Sequence, residues 1–175
     1  MKGSSRAVRL VIMAMLLLGC RLGTTQPRGV AKSDSSQSVQ SLERGFFTAI
    51  REGDAQEVLS YISARGVNVG RDARHASRDE VEQQFATHSG LYCKLFDSAC
   101  IQAPINLESS ARVCSYRELL TRSKSVRKAA SEVTRNGVQQ AVLVAQVSSD
   151  ECPNQKLIDI IFNLEASGWK LFSIP

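Results

Sequence analysis

Two strand–turn–strand patterns near the carboxyl end constrain the fold of this chain most strongly. The segments SVRKAASEV (125–133) and VQQAVLVAQVS (138–148) flank Asn136–Gly137, and Asn-Gly is a favoured pair for a two-residue turn between antiparallel strands. The segments KLIDIIFNLEA (156–166) and WKLFSI (169–174) flank Ser167–Gly168, a second tight-turn signal. The sequence therefore predicts an antiparallel sheet built from two hairpins.

Residues 157–165 alternate in the manner of a strand that buries one face. Four large apolar residues recur at every second position: Ile158, Ile160, Phe162 and Leu164. The other face carries Leu157, Asp159, Ile161, Asn163 and Glu165. Because successive side chains of a strand point to opposite faces, one face should pack on the core and the other be partly solvated. We expect Asp159 on the solvated face, where a carboxylate is not a buried catalytic base.

The first half of the chain has the three- and four-residue apolar spacing of helices. The first predicted helix carries one apolar stripe, formed by Val39, Leu42, Phe46, Phe47 and Ile50. Gly53 ends it, and Asp54 with Glu57 begins a second helix as a capping pair. A short strand is predicted at residues 67–69, between two glycines.

A third helix is predicted over residues 78–97, with Ser77 as its cap. Its apolar pattern continues through Gly90, and a glycine inside a helix costs only about 1 kcal/mol, so the pattern favours one helix over two separate turns. Ser115 and Glu118 then predict the start of a fourth, short helix.

This order of elements resembles the nuclear transport factor two-like superfamily, which includes ketosteroid-isomerase-like and SnoaL-like proteins. The resemblance covers roughly residues 38–175 and rests on the element order, on FFTAIREGDAQEVLSYI at the start and on LEASGWKLFSI at the end. It implies an α+β fold in which N-terminal helices pack on a curved antiparallel sheet to form a cone. A cystatin-like domain is the alternative architecture.

The resemblance also implies a cavity at the mouth of the cone, for which His88 is the first candidate residue. His88 lies on the apolar pattern of the third helix, although a hydrogen-bonded core histidine is the favoured interpretation. Tyr61, Tyr92 and Tyr116 are further candidates that could present hydroxyls to a cavity. His75 is expected in a surface loop. No catalytic residue can be assigned, because the fold alone does not confer a reaction.

The amino terminus is typical of a secreted bacterial lipoprotein. Lys2, Arg6 and Arg9 precede an uncharged run from Leu10 to Gly19, about half of the roughly 20 apolar residues that a membrane span needs. The segment Leu17-Leu18-Gly19-Cys20 resembles the lipobox, which implies cleavage before Cys20 and acylation of its sulfur. We therefore predict a signal peptide (1–19), a lipidated cysteine with a flexible tether (20–36) and one domain (37–175).

The tether also bears on location and charge. Arg21 stands where enteric lipoproteins carry an inner-membrane retention aspartate, so the resemblance implies the outer membrane in a Gram-negative cell. The signal peptide and the tether together hold the formal charge of +5. The domain is therefore close to neutral, which argues against a nucleic-acid binder.

Four cysteines belong to the predicted domain: Cys93, Cys100, Cys114 and Cys152. An even number in an exported protein favours two disulfides. Pairing of Cys93 with Cys100 and of Cys114 with Cys152 is preferred, and a Cys100–Cys114 bond is the main alternative. Zinc is disfavoured because no two cysteines are closely spaced, and the sequence predicts no cofactor.

Three functions are compatible with these features. The favoured one is a membrane-tethered, non-catalytic module that binds a small apolar ligand or an envelope protein. The second is a small isomerase, dehydratase or hydrolase, which a cavity with His88 beside an acid would favour. The third is a scaffold that dimerises through a sheet face containing Leu157 and Ile161.

Overall fold

A computed structural model describes residues 38–101, 112–153 and 155–175 of the chain. In the described part, the helices are α1 (Val39–Glu52), α2 (Ala55–Ser60), α3 (Arg78–Ala86), α4 (Leu91–Phe96) and α5 (Tyr116–Arg122), with a 3-10 turn at Ser98–Cys100. The strands are β1 (Val67–Val69), β2 (Arg74–Ala76), β3 (Ser125–Arg135), β4 (Val138–Ser148), β5 (Leu157–Glu165) and β6 (Gly168–Ile174). None of the helices described here has the length and apolar character needed to cross a membrane.

The strands form one six-stranded sheet in the order β2-β1-β6-β5-β4-β3. The two predicted hairpins are confirmed as β3–β4 and β5–β6. The first turn is made by Asn136 and Gly137, both of which have a positive φ, as a tight antiparallel turn requires. The second turn differs by one residue from the prediction, because Glu165 pairs with Gly168 and the turn is therefore made by residues 166–167.

The sheet is mixed rather than wholly antiparallel. The short strand β1, predicted at residues 67–69, pairs in parallel with β6. Strand β2 pairs antiparallel with β1 and was not predicted. His75 therefore lies in an edge strand and not in a loop, although its side chain is exposed as expected. A strand of only three residues carries too little alternation to be predicted from the sequence.

Helix α1 packs its apolar stripe on the buried face of the sheet. Ser38 caps the helix by accepting from the backbone N–H of Ser41, and Gly53 ends it in the left-handed conformation. The ring of Phe46 lies edge-on to Phe162 of β5, with 4.9 Å between the centroids. Ile158, Ile160 and Phe162 are fully buried, as their alternation predicts. The described residues thus form an α+β fold with helices against a sheet, as expected.

The predicted helix over residues 78–97 is wrong: the structure has two helices, α3 and α4, separated by residues 87–90. His88 and Gly90 both have positive φ angles, near 50°. The side-chain oxygen of Gln84 accepts a hydrogen bond from the backbone N–H of Leu91, at 2.7 Å, and so satisfies the start of α4. A continuous helix would lose the hydrogen bond between Gln84 and Leu91. The spacing of apolar residues does not report this bond, so it predicts one helix where there are two.

Candidate functional site

A cleft of about 1110 Å³ lies at one end of the sheet. Strand β1 ends there at Val69, β5 begins at Leu157, and β6 ends just before Pro175. Helices α4 and α5 supply Cys93, Lys94 and Tyr116. The remaining described lining residues are Gly70, Arg71, His88, Ser89, Gly90, Cys100, Ile101, Val113, Cys114, Gln155 and Lys156. The walls therefore come from parts of the chain that are far apart in sequence.

Two disulfides hold the walls of the cleft. Cys93 of α4 is bonded to Cys100, and Cys114 is bonded to Cys152, the pairing that the sequence favours. The Cα atoms are 5.5 and 6.2 Å apart, within the usual range for a disulfide. No group of three or more His, Cys, Asp or Glu side chains that could hold a metal is found among the described residues.

Gln155 fastens the wall that contains Cys114. Its side-chain oxygen accepts from the backbone N–H of Cys114 at 2.6 Å, and its side-chain N–H donates to the Cys114 carbonyl at 3.0 Å. Next along the chain, Ser115 and Glu118 form the predicted reciprocal capping box at the start of α5. These bonds satisfy backbone groups at the edge of the cleft and fix where α5 begins.

The charged side chains that line the cleft are all basic. Arg71, Lys94 and Lys156 line it together with His88, and its described lining contains no aspartate or glutamate. Lys94 is partly buried, and its Nζ lies 5.9 Å from the centre of the Tyr116 ring. Burial and, to a smaller extent, the positive charge of Arg71 lower the pKa of the Lys94 ammonium.

Tyr116 forms part of the floor of the cleft. Its hydroxyl donates to the carbonyl oxygen of Pro175 at 3.1 Å. Burial, reinforced by the negative charge of Asp159, raises the pKa of Tyr116. The phenol therefore stays protonated and neutral across the physiological pH range.

Asp159 is more buried than its place on the alternate face suggests. The residue is half-buried, and its Oδ1 atom is fully enclosed with no hydrogen-bond partner in the described part of the chain. It does not belong to the described lining of the cleft. Asp159 alternates with Ile158 and Ile160 as predicted, but its enclosed Oδ1 atom is less solvated than a residue on a wet face should be.

Of the four residues named as pocket candidates, Tyr116 and His88 line the cleft, whereas Tyr92 and Tyr61 are not in its described lining. His88 is exposed at the cleft and stacks on Tyr92, with 4.3 Å between ring centroids, so the favoured interpretation of His88 as a core residue is wrong. Tyr92 and His88 also line a separate groove of about 680 Å³ beside α2 and α3. Tyr61 is buried in the core against Phe46 and is not among the described lining of the cleft.

Lys94 and Arg71 are the functional candidates that sequence reasoning missed. Lys94 lies between Cys93 and Leu95, both of which are buried, and a lysine inside a short apolar helix is a signal that could have been noticed. Arg71 follows a glycine in a turn-rich segment and looks like an ordinary surface residue. Its proximity to Lys94 depends on how β1 and α4 meet, which the sequence does not encode locally.

Comparison with known proteins gives few matches. No family model and no curated protein matches the chain. Among solved structures, a five-substitution variant of Rd1NTF2_05 is 11% identical over 77% of this chain and 92% of its own, with a TM-score of 0.42. An NTF2-like protein from Cytophaga hutchinsonii is 8% identical over 77% and 90%, with a TM-score of 0.39. We draw the fold from the strand pairing and helix packing described above, and not from similarities this low.

Proposed function

We propose that this protein is a lipid-anchored, non-catalytic domain of the cell envelope that binds a small ligand in the cleft. The observation that carries the proposal is the cleft itself. It combines an apolar lining from Val69, Ile101, Val113 and Leu157 with a few polar groups from α4 and α5. This is the usual composition of a small-molecule site, in which a few polar groups orient a largely apolar contact surface.

Disulfide-linked walls favour binding over a purely structural role for the cleft. Cys93–Cys100 joins two lining residues of the cleft, and Cys114–Cys152 ties the lining residue Cys114 to a part of the chain outside the described lining. A covalently held wall loses less conformational freedom when a ligand binds, and this preorganisation increases affinity. Disulfides also fit an exported protein, since oxidising compartments are where they persist.

The envelope location rests on the lipobox-like segment that ends in Cys20. That segment and the tether lie outside the described residues, so their contribution comes from the sequence alone. Several acyl chains on Cys20 would hold the protein at a bilayer surface, because each buried methylene contributes about 0.8 kcal/mol. The spacer that follows Cys20 contains mainly small and polar residues and can keep the domain clear of the head groups.

Neither alternative function gains a specific observation. No acidic side chain pairs with His88 in the described part of the chain, and such a pair is the observation that would favour the enzyme hypothesis. For the scaffold hypothesis, Leu157 faces the cleft and Ile161 is half-buried. Of the other two exposed large apolar residues in the described chain, Val138 begins β4 at the opposite end of the sheet from Leu157, and Phe172 of β6 borders a different groove.

Native mass spectrometry of the full-length protein tests this proposal. The protein is expressed in a Gram-negative bacterium and released from membranes in mild detergent. We expect a co-purified small-molecule adduct and an acyl mass on Cys20. Val113→Trp, which fills the cleft, should lose the adduct.

Val138→Trp places the same bulk at the exposed first residue of β4, far from the cleft, and should keep the adduct. Near-ultraviolet circular dichroism establishes that both variants are folded. Absence of any adduct from the wild-type protein, or equal adducts in the two folded tryptophan variants, would contradict ligand binding in the cleft.

A further inference from the structure

We infer that the cleft selects an amphipathic anion, a molecule with one anionic head group on an apolar body, and that Lys94 and Arg71 bind the head group. This inference rests on the proposed function, since it assigns a ligand class to the same cleft. It follows from three observations: an excess of positive charge, cations that lack carboxylate partners in the described structure, and an apolar wall beside them.

The basic residues of the cleft share one surface whose described lining holds no aspartate or glutamate. Some basic side chains elsewhere pair with acids, as in Arg112–Glu118, Lys124–Asp150, Lys128–Glu43, Arg78–Glu82 and Arg74–Glu80. Others, such as Arg65, Arg127 and Arg135, have no such pair in the described part of the chain, but they are exposed to water, whereas Lys94 is partly buried. Within the described part of the chain, neither Lys94 nor Arg71 has a carboxylate oxygen within 4.0 Å. The domain is nearly neutral, so the cleft concentrates positive charge that its own acids do not neutralise.

An anion bound between these two side chains would relieve a destabilising arrangement. Lys94 is partly buried and feels the like charge of Arg71, so its charged form is disfavoured while the cleft holds no anion. A carboxylate or phosphate supplies the opposite charge and accepts charge-assisted hydrogen bonds from both residues. The anion thereby replaces part of the hydration that Lys94 gave up on burial.

Lys94 has hydrogen-bond donors available for such a ligand. Its ammonium lies over the ring of Tyr116, a cation–π contact that orients the group without using an N–H donor in a hydrogen bond. The Tyr116 hydroxyl already donates to Pro175. The head group therefore belongs to Lys94 and Arg71, with Tyr116 acting as a positioning residue for Lys94.

The rest of the cleft fits an apolar body. Leu157 has 55% of its surface exposed, the largest value among the exposed large apolar residues of the described chain. It lines the cleft together with Val69, Ile101 and Val113. An alkyl or ring system on the ligand would cover this apolar surface and gain the free energy of removing it from water. A small inorganic anion would leave it exposed.

Calorimetric titration of the full-length protein in lipid nanodiscs tests the inference, with empty nanodiscs as the blank. The probes are octanoate, octyl phosphate, octanol and acetate, which separate the head group from the body. We expect both octyl anions to bind at least about tenfold more tightly than octanol or acetate. A preference between octanoate and octyl phosphate identifies the head group.

Two variants assign the charge preference to its residues. Lys94→Met keeps the aliphatic length and removes the charge, so it should reduce octanoate affinity about tenfold and leave octanol affinity unchanged. Lys124 lies directly before β3, is exposed and pairs with Asp150. Lys124→Met should therefore change neither the octanoate affinity nor the octanol affinity.

Two results would overturn the inference, and they differ in what they leave standing. If octanol binds the wild-type protein as tightly as octanoate, or if Lys94→Met leaves octanoate affinity unchanged, the ligand class is wrong and ligand binding stands. If none of the probes binds and native mass spectrometry shows no adduct, both the inference and the proposed function fail.

Discussion

Lys94 shows how its place in the fold changes the chemistry of one side chain. In the sequence, Lys94 is a basic residue in a short apolar segment. In the structure, Lys94 of α4 contacts the ring of Tyr116 in α5 and shares the cleft with Arg71. Burial and the like charge of Arg71 lower the pKa of Lys94, and no described carboxylate raises it again. An amine in this setting loses its charge at a lower pH than an exposed lysine.

Anion binding should therefore weaken as the pH rises toward the ordinary lysine pKa of 10.5. Lys94 attracts an anion only while protonated, and its lowered pKa moves that loss to lower pH. The other charged or titratable groups near it are Arg71, His88, Tyr116, Lys156 and the carboxyl group of Pro175 in the cleft, with Asp159 near Tyr116. Because the pKa of Tyr116 is raised, its phenol does not lose a proton below pH 10, so it does not contribute to the weakening of anion binding.

The measurement is octanoate affinity between pH 7 and pH 10 for the wild-type protein and two variants. Lys94→Arg should flatten the profile, because a guanidinium stays charged throughout. Lys156→Met measures how much the exposed lysine at the edge of the cleft contributes to the pH dependence of octanoate binding. A wild-type profile that is flat over this range, or one that Lys94→Arg leaves unchanged, would contradict the assignment.

At the scale of elements, prediction succeeded for the hairpins, α1 and β1 and failed where the backbone interrupts a continuous pattern. The hairpins and α1 follow patterns of six residues or more, and the structure confirms them. The pattern over residues 78–97 is equally long, but the backbone at His88 and Gly90 interrupts it. The apolar stripe continues across the interruption because α3 and α4 both face the same core.

Gly90 is the residue that most directly controls this break. A Cβ at position 90 would lie 2.5 Å from the side-chain oxygen of Gln84, the atom that accepts from the Leu91 N–H. Gly90→Ala should therefore lower the free energy of unfolding by roughly 2 kcal/mol, combining left-handed strain with loss of the Gln84 cap. Chemical denaturation with two-state fitting measures the change.

Gly137 is the matched control, because it also has a positive φ but a Cβ there would meet nothing within 4 Å. Gly137→Ala should cost only the strain of a left-handed backbone at an alanine, roughly 1 kcal/mol. Gly90→Ala should also weaken octanoate binding, since α4 carries Lys94, and Gly137→Ala should not. Equal destabilisation by the two substitutions would show that the Gln84 contact contributes nothing.

At the scale of the whole molecule, the class of fold was more predictable than the site. Local periodicity reports which face of an element is buried, and buried faces are enough to place helices on a sheet. The cleft depends instead on which ends of distant elements meet: β1, α4, α5 and the start of β5. Tyr116 could be listed as a candidate, but its contact with Lys94 joins residues 22 positions apart that share no local pattern.

Membrane attachment is a property of the whole chain and is tested at Cys20. Cys20→Ser removes the sulfur that would carry acyl chains, so the protein should move from the membrane fraction to the soluble fraction of lysed cells, as immunoblotting would show.

Arg21→Asp is the matched control: it keeps Cys20 and should remain membrane-bound. In an enteric host it should shift from the outer to the inner membrane, since aspartate after the cysteine resembles the retention signal there. A Cys20→Ser protein that stays with membranes and keeps Met1 would show that the amino-terminal segment anchors the chain without acylation. The attachment of the protein to the membrane would then need a different explanation, but the ligand chemistry of the cleft, which depends on its described lining residues, would be unaffected.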